Sequence, residues 1–184
     1  PQRESVDWDF PVTVMDVVLM GRYGHVGWLK RIGKSDRTIA CKCLEQVDML
    51  PYANRQIGNL SGGQQQRVFL ARALAQESSL YLMDEPFAGV DAVTEKAIVT
   101  LLKGIRERGK TLVIVHHDLA SAKEYFDHLL LLNMRKVAYG SIAEVYKSEL
   151  LQKTYGGRLT ILSDMATKSA GVRAIEKEAY ATEK

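Results

Sequence analysis

The sequence predicts an α/β fold, a mostly parallel sheet with helices packed on it and a helical block inserted ahead of its chemistry. Three observations predict it. An apolar run, Leu80 to Met83, stops abruptly at Asp84-Glu85-Pro86. A β-branched run, Thr111 to Val115, stops at His116-His117-Asp118. Both read as buried strands that deliver polar groups to the carboxyl edge of a sheet. Helical periods accompany them: Val68, Ala71 and Ala75 recur with Leu70 and Leu74, and Ala97, Ile98, Leu101, Leu102 and Ile105 share one side of Thr94 to Arg108.

In chain order, the sequence opens Pro1-Gln2-Arg3-Glu4, without a signal-peptide pattern or an initiator methionine, as though cut from something longer. From Phe10 to Leu50 the pattern is helical. Val14, Val17, Val18 and Leu19 precede Gly21, and Thr38 to Met49 carries Ile39, Leu44 and Val47, with loops expected at Gly21, Gly24, Gly27 and Gly33. A separate helical subdomain is therefore expected over about residues 11–58. Arg22, Lys30, Arg31, Lys34 and Arg37 make it locally basic, which reads first as a solvated face and second as a surface toward anionic lipid. Cys41 and Cys43, two apart in a helix, point to different faces and do not suit a disulfide; they read as reduced thiols.

Ser61 followed three residues later by Gln64 is a capping box, so a helix is expected to start there with unpaired backbone N–H groups. Gly62 and Gly63 lack a Cβ, which lets an anion approach those groups and the positive end of the helix dipole. At the end of the Leu80 strand Asp84 is placed to hold Mg²⁺. Glu85, one position on, points to the other side and is placed to orient or deprotonate a water that attacks a γ-phosphate. A histidine of the pair His116-His117, leaving the Thr111 strand beside those carboxylates, is placed to hydrogen-bond a γ-phosphate. Further on, Leu129 to Leu132 and Lys136 to Tyr139 flank Asn133-Met134-Arg135 as a hairpin. Ser141 and Glu144 form a second capping box for a short helix through Tyr146, and a helix capped by Ser148 is expected to run to Tyr155 and stop at Gly156-Gly157. Beyond Ser163 only Val172, Ile175 and Ala179 show a period, which suggests a peripheral helix or loose tail over 164–184 with no assigned role.

Leu60-Ser61-Gly62-Gly63-Gln64 resembles the signature motif of the ATP-binding-cassette (ABC) ATPases, and Leu80 to Glu85 resembles their Walker B strand with its catalytic glutamate. Motif, interval and the following Gly89-Val90-Asp91 together make the resemblance specific. It implies a P-loop NTPase-like core with an inserted helical subdomain, occupying residues 1–163 as a partial domain whose signature, Walker B and switch region is 59–140. It implies ATP and Mg²⁺ as ligands. Gln2, in a Pro-Gln pair, resembles the glutamine that touches Mg²⁺ and the attacking water, and His117 resembles the switch histidine. His116 stands where relatives often carry threonine and reads as structural. Ser61, Gly62, Gly63, Gln64 and Asp91 would then act across a homodimer on the nucleotide of a second ATPase subunit. The stretches Trp8 to Val12, Met20 to Gly24, Gly27-Trp28 and Thr154 to Arg158 resemble the manganese, zinc and iron importer branch. The implied function is that of the ATP-hydrolysing subunit of such an importer, peripheral on the cytoplasmic face of the membrane, partnered by a permease and indirectly by a substrate-binding protein.

Composition bounds the alternatives. With 46% hydrophobic residues in 184 the chain has the makeup of a globular protein, and 25 cations against 22 anions give no reason to invoke nucleic acid. Apolar runs are strand-sized, far below the roughly 20 residues of a membrane span. Gly104 to Thr111 spells a P-loop, but a helix runs into it and a strand leaves it, the reverse of a phosphate cradle. Gly33-Lys34-Ser35 fails because Trp28 stands where the first glycine belongs. The resemblance places the Walker A loop upstream of Pro1, so these residues alone are expected to bind ATP poorly and not to turn it over. Two other readings are a soluble, non-transport cassette ATPase and an interaction module without a P-loop that lends its signature helix to a partner.

Overall fold

The computed structural model describes residues 11–26 and 31–156. Gln2, Trp8, Gly27, Trp28, Lys30, Gly157, Arg158 and the 164–184 segment lie outside the described residues. The chain divides into two compact units, Pro1–His117 and Asp118–Lys184.

In the first unit, α1 (Val14–Met20) starts at Thr13, whose hydroxyl accepts the Asp16 amide at 3.2 Å while the Asp16 carboxylate accepts the Thr13 amide at 3.0 Å. This reciprocal cap satisfies two of the donors that a helix start leaves open. One turn, α2 (Tyr23–Val26), follows. The next helix, α3 (Lys34–Gln46), begins four residues before the pattern at Thr38 predicts, because Asp36 accepts the Gly33 amide at 3.0 Å and caps the start there. It stops short of Met49 because Asp48 adopts φ 56°, the left-handed region that ends a helix. Single 3₁₀ turns at Leu50–Tyr52 and Ile57–Asn59 lead to α4 (Gly62–Ala75).

As the periodicity predicts, α4 buries an apolar stripe: Val68, Ala71 and Ala75 are fully buried, with Leu70 and Leu74 close behind. Helices α1 and α3 pack on it. The end of α1 comes so close that a Cβ built on Gly21 would lie 2.3 Å from the Arg72 carbonyl oxygen, so only glycine fits. Cys43 is buried and Cys41 half-buried, both as free thiols.

The basic run of this block does not form one solvated face. Arg31, Lys34 and Arg37 are exposed, but Arg22 is buried. Its Nε donates to Asp36 at 3.1 Å, and its Nη1 donates to the Ala75 carbonyl and to Glu77, both at 2.7 Å. Burial by itself lowers the guanidinium pKa, yet hydrogen bonds to the two carboxylates outweigh it and the net shift is upward. His25 adds a 2.7 Å contact to the Gln76 carbonyl. Arg22 therefore closes the carboxyl end of α4, where unpaired carbonyls and the negative end of the dipole favour a cation.

After α4 come β1 (Leu80–Asp84), α5 (Ala92–Glu107) and β2 (Thr111–Val115). The strands pair in parallel, from Leu80 opposite Thr111 to Asp84 opposite Val115. Helix α5 buries Ile98, Val99, Leu102 and Ile105; Val99 takes the place expected for Ala97, which is exposed. Gly109, at φ 79°, turns α5 into β2, so the P-loop spelling at Gly104 to Thr111 is a helix-to-strand turn. One expectation fails. The strands are not buried on both faces: Tyr81 is covered, while Leu82 is 74% exposed and Leu80, Val113 and Val115 are also open. Side chains alternate across a strand, and among the described residues only one face of this pair is covered.

The second unit starts with α6 (Leu119–Tyr125), capped by the Asp118 carboxylate, which accepts the Ala120 and Ser121 amides. The hairpin β3 (His128–Asn133) and β4 (Arg135–Ser141) turns at Met134, φ 54°. Ser141 donates to Glu144 and opens α7 (Ile142–Val145). For α8 (Ser148–Tyr155) the cap position is Lys147, and Ser148 is the first helical residue rather than the cap; the helix stops at Gly156, φ 59°. Leu131, Val145 and Leu151 form this unit's core, with Leu119, Leu129, Val137 and Tyr146 against it. Among the described residues no helix is long and apolar enough to cross a membrane.

Candidate functional site

Parallel pairing brings the carboxyl ends of β1 and β2 level, so the residues that follow each strand meet. Asp84, exposed, ends β1 opposite Val115. Glu85 extends the ladder by one bond, its amide donating to the Val115 carbonyl at 3.1 Å, and then turns away at φ 45°. For a glutamate this left-handed backbone is uncommon and needs support from its surroundings. A turn supplies part of it. The Ala88 amide donates to the Glu85 carbonyl at 3.1 Å across Pro86 and Phe87, with proline in the position where its fixed φ suits a turn.

Two histidines leave β2 against this turn. His117 Nδ1 stands 3.3 Å from Glu85 Oε1, in a pair whose side chains are 73% and 46% exposed. His116 sets its ring edge-on to buried Phe87, centroids 5.4 Å apart at 88°.

The start of α4 lies beside the same turn. Ser61 caps it as predicted: the Ser61 amide donates to Gln64 Oε1 at 2.9 Å, and the Gln64 amide donates to Ser61 Oγ at 3.4 Å. Gly62 and Gly63 occupy the first two helical positions, where backbone N–H groups have no partner within the helix. A Cβ on Gly63 would lie 3.1 Å from the Gly89 carbonyl, so its smallness serves the packing of the 85–90 turn as well as access to the helix end. Gln66 Nε2 donates to the Glu85 carbonyl at 3.4 Å, a contact for which the sequence holds no signal, since the two are 19 residues apart. Asp91 caps α5, accepting the Val93 and Thr94 amides at 3.0 Å and the Thr94 hydroxyl at 2.8 Å; these bonds, the Thr94 amide first, hold its carboxyl below the usual range.

The first unit thus brings together Asp84, Glu85, His117 and the Ser61 to Gln64 helix start, with Asp91 closing the turn. Gln2 lies outside the described residues. Among the described residues no three His, Cys, Asp or Glu side chains gather into a metal cage.

Comparison with known proteins adds an independent line. The sequence profile of the ABC transporter family matches residues 9–88. A manganese transport system ATP-binding protein, MntB of Bacillus subtilis, is 62% identical over 164 residues, covering 89% of this chain and 66% of the relative. A zinc transport system ATP-binding protein, TroB of Treponema pallidum, is 59% identical over 160 residues, covering 87% of this chain and 60% of the relative. The chain therefore spans slightly less than two thirds of the length of these relatives. Among solved structures, a dimeric post-hydrolysis state of an ATP-binding cassette bound to ADP and Pi aligns with a TM-score of 0.61 at 29% identity, over 74% of this chain and 61% of that one. With the parallel strand pair, the capped glycine helix and the acidic turn already in place, these likenesses agree on one assignment: the chain belongs to the ABC transporter family.

Proposed function

We propose that this chain supplies the water-activating, phosphate-sensing and signature parts of the ATP-hydrolysing subunit of an ABC importer for metal ions such as manganese, zinc or iron. The observation that carries the reading is the convergence of Glu85 and His117 on one strand edge, 3.3 Å apart, next to Asp84. The transport roles in the names of the manganese and zinc relatives support the cargo class.

In this reading Glu85 accepts a proton from the attacking water as its oxygen bonds the γ-phosphorus, and the bond between that phosphorus and the β–γ bridging oxygen breaks to release ADP. His117, mostly exposed, is free to leave the carboxylate and donate to the γ-phosphate. Asp84 offers one exposed carboxylate oxygen donor for Mg²⁺, with Gln2 as second ligand. Such a site fits, because Mg²⁺ in phosphoryl transfer takes one or two protein ligands and completes its shell with phosphate oxygens and water. Bound there, the ion neutralises charge developing on the phosphates. Ser61, Gly62, Gly63, Gln64 and Asp91 act on the nucleotide of a second ATPase subunit, a reading supported by the dimeric cassette structure. The assembly sits on the cytoplasmic face of the membrane against a permease, with a substrate-binding protein delivering the ion; nucleic acid has no part in it.

The test is steady-state ATP hydrolysis by the subunit assembled with its permease, with Glu85→Gln alongside. Removing the base is expected to lower kcat by roughly 10²–10⁴. Equal rates in the two would reject Glu85 as base, and metal-independent hydrolysis would reject Asp84 as the ion's ligand.

A further inference from the structure

We propose that His116 is a positioning residue for Glu85, acting through Phe87. The proposal rests on the reading of Glu85 as the base. Its ground is the strained backbone at that residue, φ 45°, which must be held from outside. Among the described residues the grips on Glu85 itself are few. Its amide is tied to Val115, its carbonyl is shared between Ala88 and the 3.4 Å bond from Gln66, and its carboxylate partner His117 is the side chain that leaves to meet the phosphate. The turn's apolar anchor is Phe87, its third residue, 8% exposed. Against that ring His116 stands in the edge-to-face orientation aromatic pairs favour, 5.4 Å and 88°.

Two adjacent histidines thus divide the turn between them, His117 on the carboxylate and His116 on the ring two residues along. Pro86 fixes one of the backbone torsions between Glu85 and Phe87, so a shift of the Phe87 anchor is passed on to the turn that carries the carboxylate. A misplacement of about 1 Å at a catalytic group is enough to cost up to ~10²-fold in rate.

The experiment measures kcat and KM for ATP in the assembled ATPase, normalised to protein that binds nucleotide. His116→Ala is expected to lower kcat by about 2- to 10-fold, the factor one aromatic pair represents, with KM changed less than about twofold as for an interaction needed only in the transition state. His116→Phe, which keeps the ring contact and discards the imidazole nitrogens, is expected to restore kcat. Phe87→Leu is expected to lower it as His116→Ala does, and the double variant to fall no further than the lower single one. His116→Thr gives the same loss where the alanine variant folds poorly. Unchanged kcat in the His116→Ala and His116→Thr proteins, failure of His116→Phe to rescue, or additive losses in the double variant would each overturn the proposal. Glu85→Gln in the same assay keeps the two readings apart. A collapse there with silent His116 variants sinks only this inference, whereas unchanged rate there sinks the base assignment itself.

Discussion

Replacing Arg22 by methionine isolates the buried tie at the end of α4. Methionine approximates the volume of the arginine stem, so the substitution removes charge and donors more than packing. The largest loss is at the Ala75 carbonyl, which accepts Nη1 at 2.7 Å in a buried setting. Leaving such an acceptor without a donor costs about 1–3 kcal/mol. Glu77, whose side chain is 53% exposed, turns to water and adds less than about 1 kcal/mol. Asp36 keeps the Gly33 amide and loses only its second partner. The expected total is about 1–4 kcal/mol, a fall in Tm of roughly 2–16 °C for a chain of this size. Thermal and urea unfolding of the protein, followed by circular dichroism, measures it. Arg22→Lys is expected to recover little, because a single ammonium cannot span Asp36, Ala75 and Glu77 as the guanidinium fork does. Stability within about 0.5 kcal/mol of the parent in the methionine variant, or full rescue by lysine, would refute the argument.

Gly21→Ala is expected to destabilise by about 1–3 kcal/mol: the new Cβ would meet the Arg72 carbonyl at 2.3 Å although the backbone, φ −61°, suits alanine. Gly24→Ala, with nothing within 4 Å of its Cβ, is the control and is expected to be neutral or slightly stabilising in the same urea titration. Burial pushes the Cys43 thiol up to about 11, so at pH 8 its thiolate fraction is about 10⁻³. A thiol reagent that reports by absorbance is expected to modify Cys41 well before Cys43 in the native protein, and simultaneous labelling would contradict the burial of Cys43. Asp91 titrates below its ordinary value of 3.8 because the folded chain hydrogen-bonds its charged form. That contribution is fully present above the unfolded pKa and is lost as pH falls through the lower folded one. The urea midpoint is therefore expected to fall more steeply below about pH 5 in the parent than in Asp91→Asn, and parallel curves would count against it.

The parts of this structure that were legible in the sequence are those whose partners are close in sequence or whose chemistry is dense. Ser61 and Gln64 carry both halves of one cap three residues apart, and α4's buried stripe repeats over about three turns. Asp84-Glu85 and His116-His117 end apolar runs, which marks the edge they share. Arg22 was not legible. Its partners Asp36, Ala75 and Glu77 lie 14, 53 and 55 residues away, and along the chain it sits in a basic run that reads as solvated. The start of α3 was missed for a local reason: its cap residue is Gly33, which has no side chain to advertise the box, and the signal lay only in Asp36 reaching back. The apolar composition of β1 and β2 suggested cover on both faces, yet composition does not say which layer supplies it, and Leu82 and Val115 stand open.

Helix α4 explains why residues without chemistry of their own matter to the site. At its carboxyl end Arg22, His25 and the close approach of Gly21 fix its last turn. At its amino end Gly63 and Gln66 touch the turn that carries Glu85. Between them, Val68, Ala71 and Ala75 are fully buried and leave the helix no slack against its neighbours. A 14-residue helix is about 21 Å long, so the two ends are too far apart for direct contact and are related only through its rigidity. Substitutions at the far end are therefore expected to act on stability and on the angle of the helix start together. Under the proposed function, substitutions at Glu85 and His117, both exposed, are expected to act on the chemistry while the fold survives. Measured stability and measured rate must then separate residues by their place along α4 rather than by their distance from the strand edge.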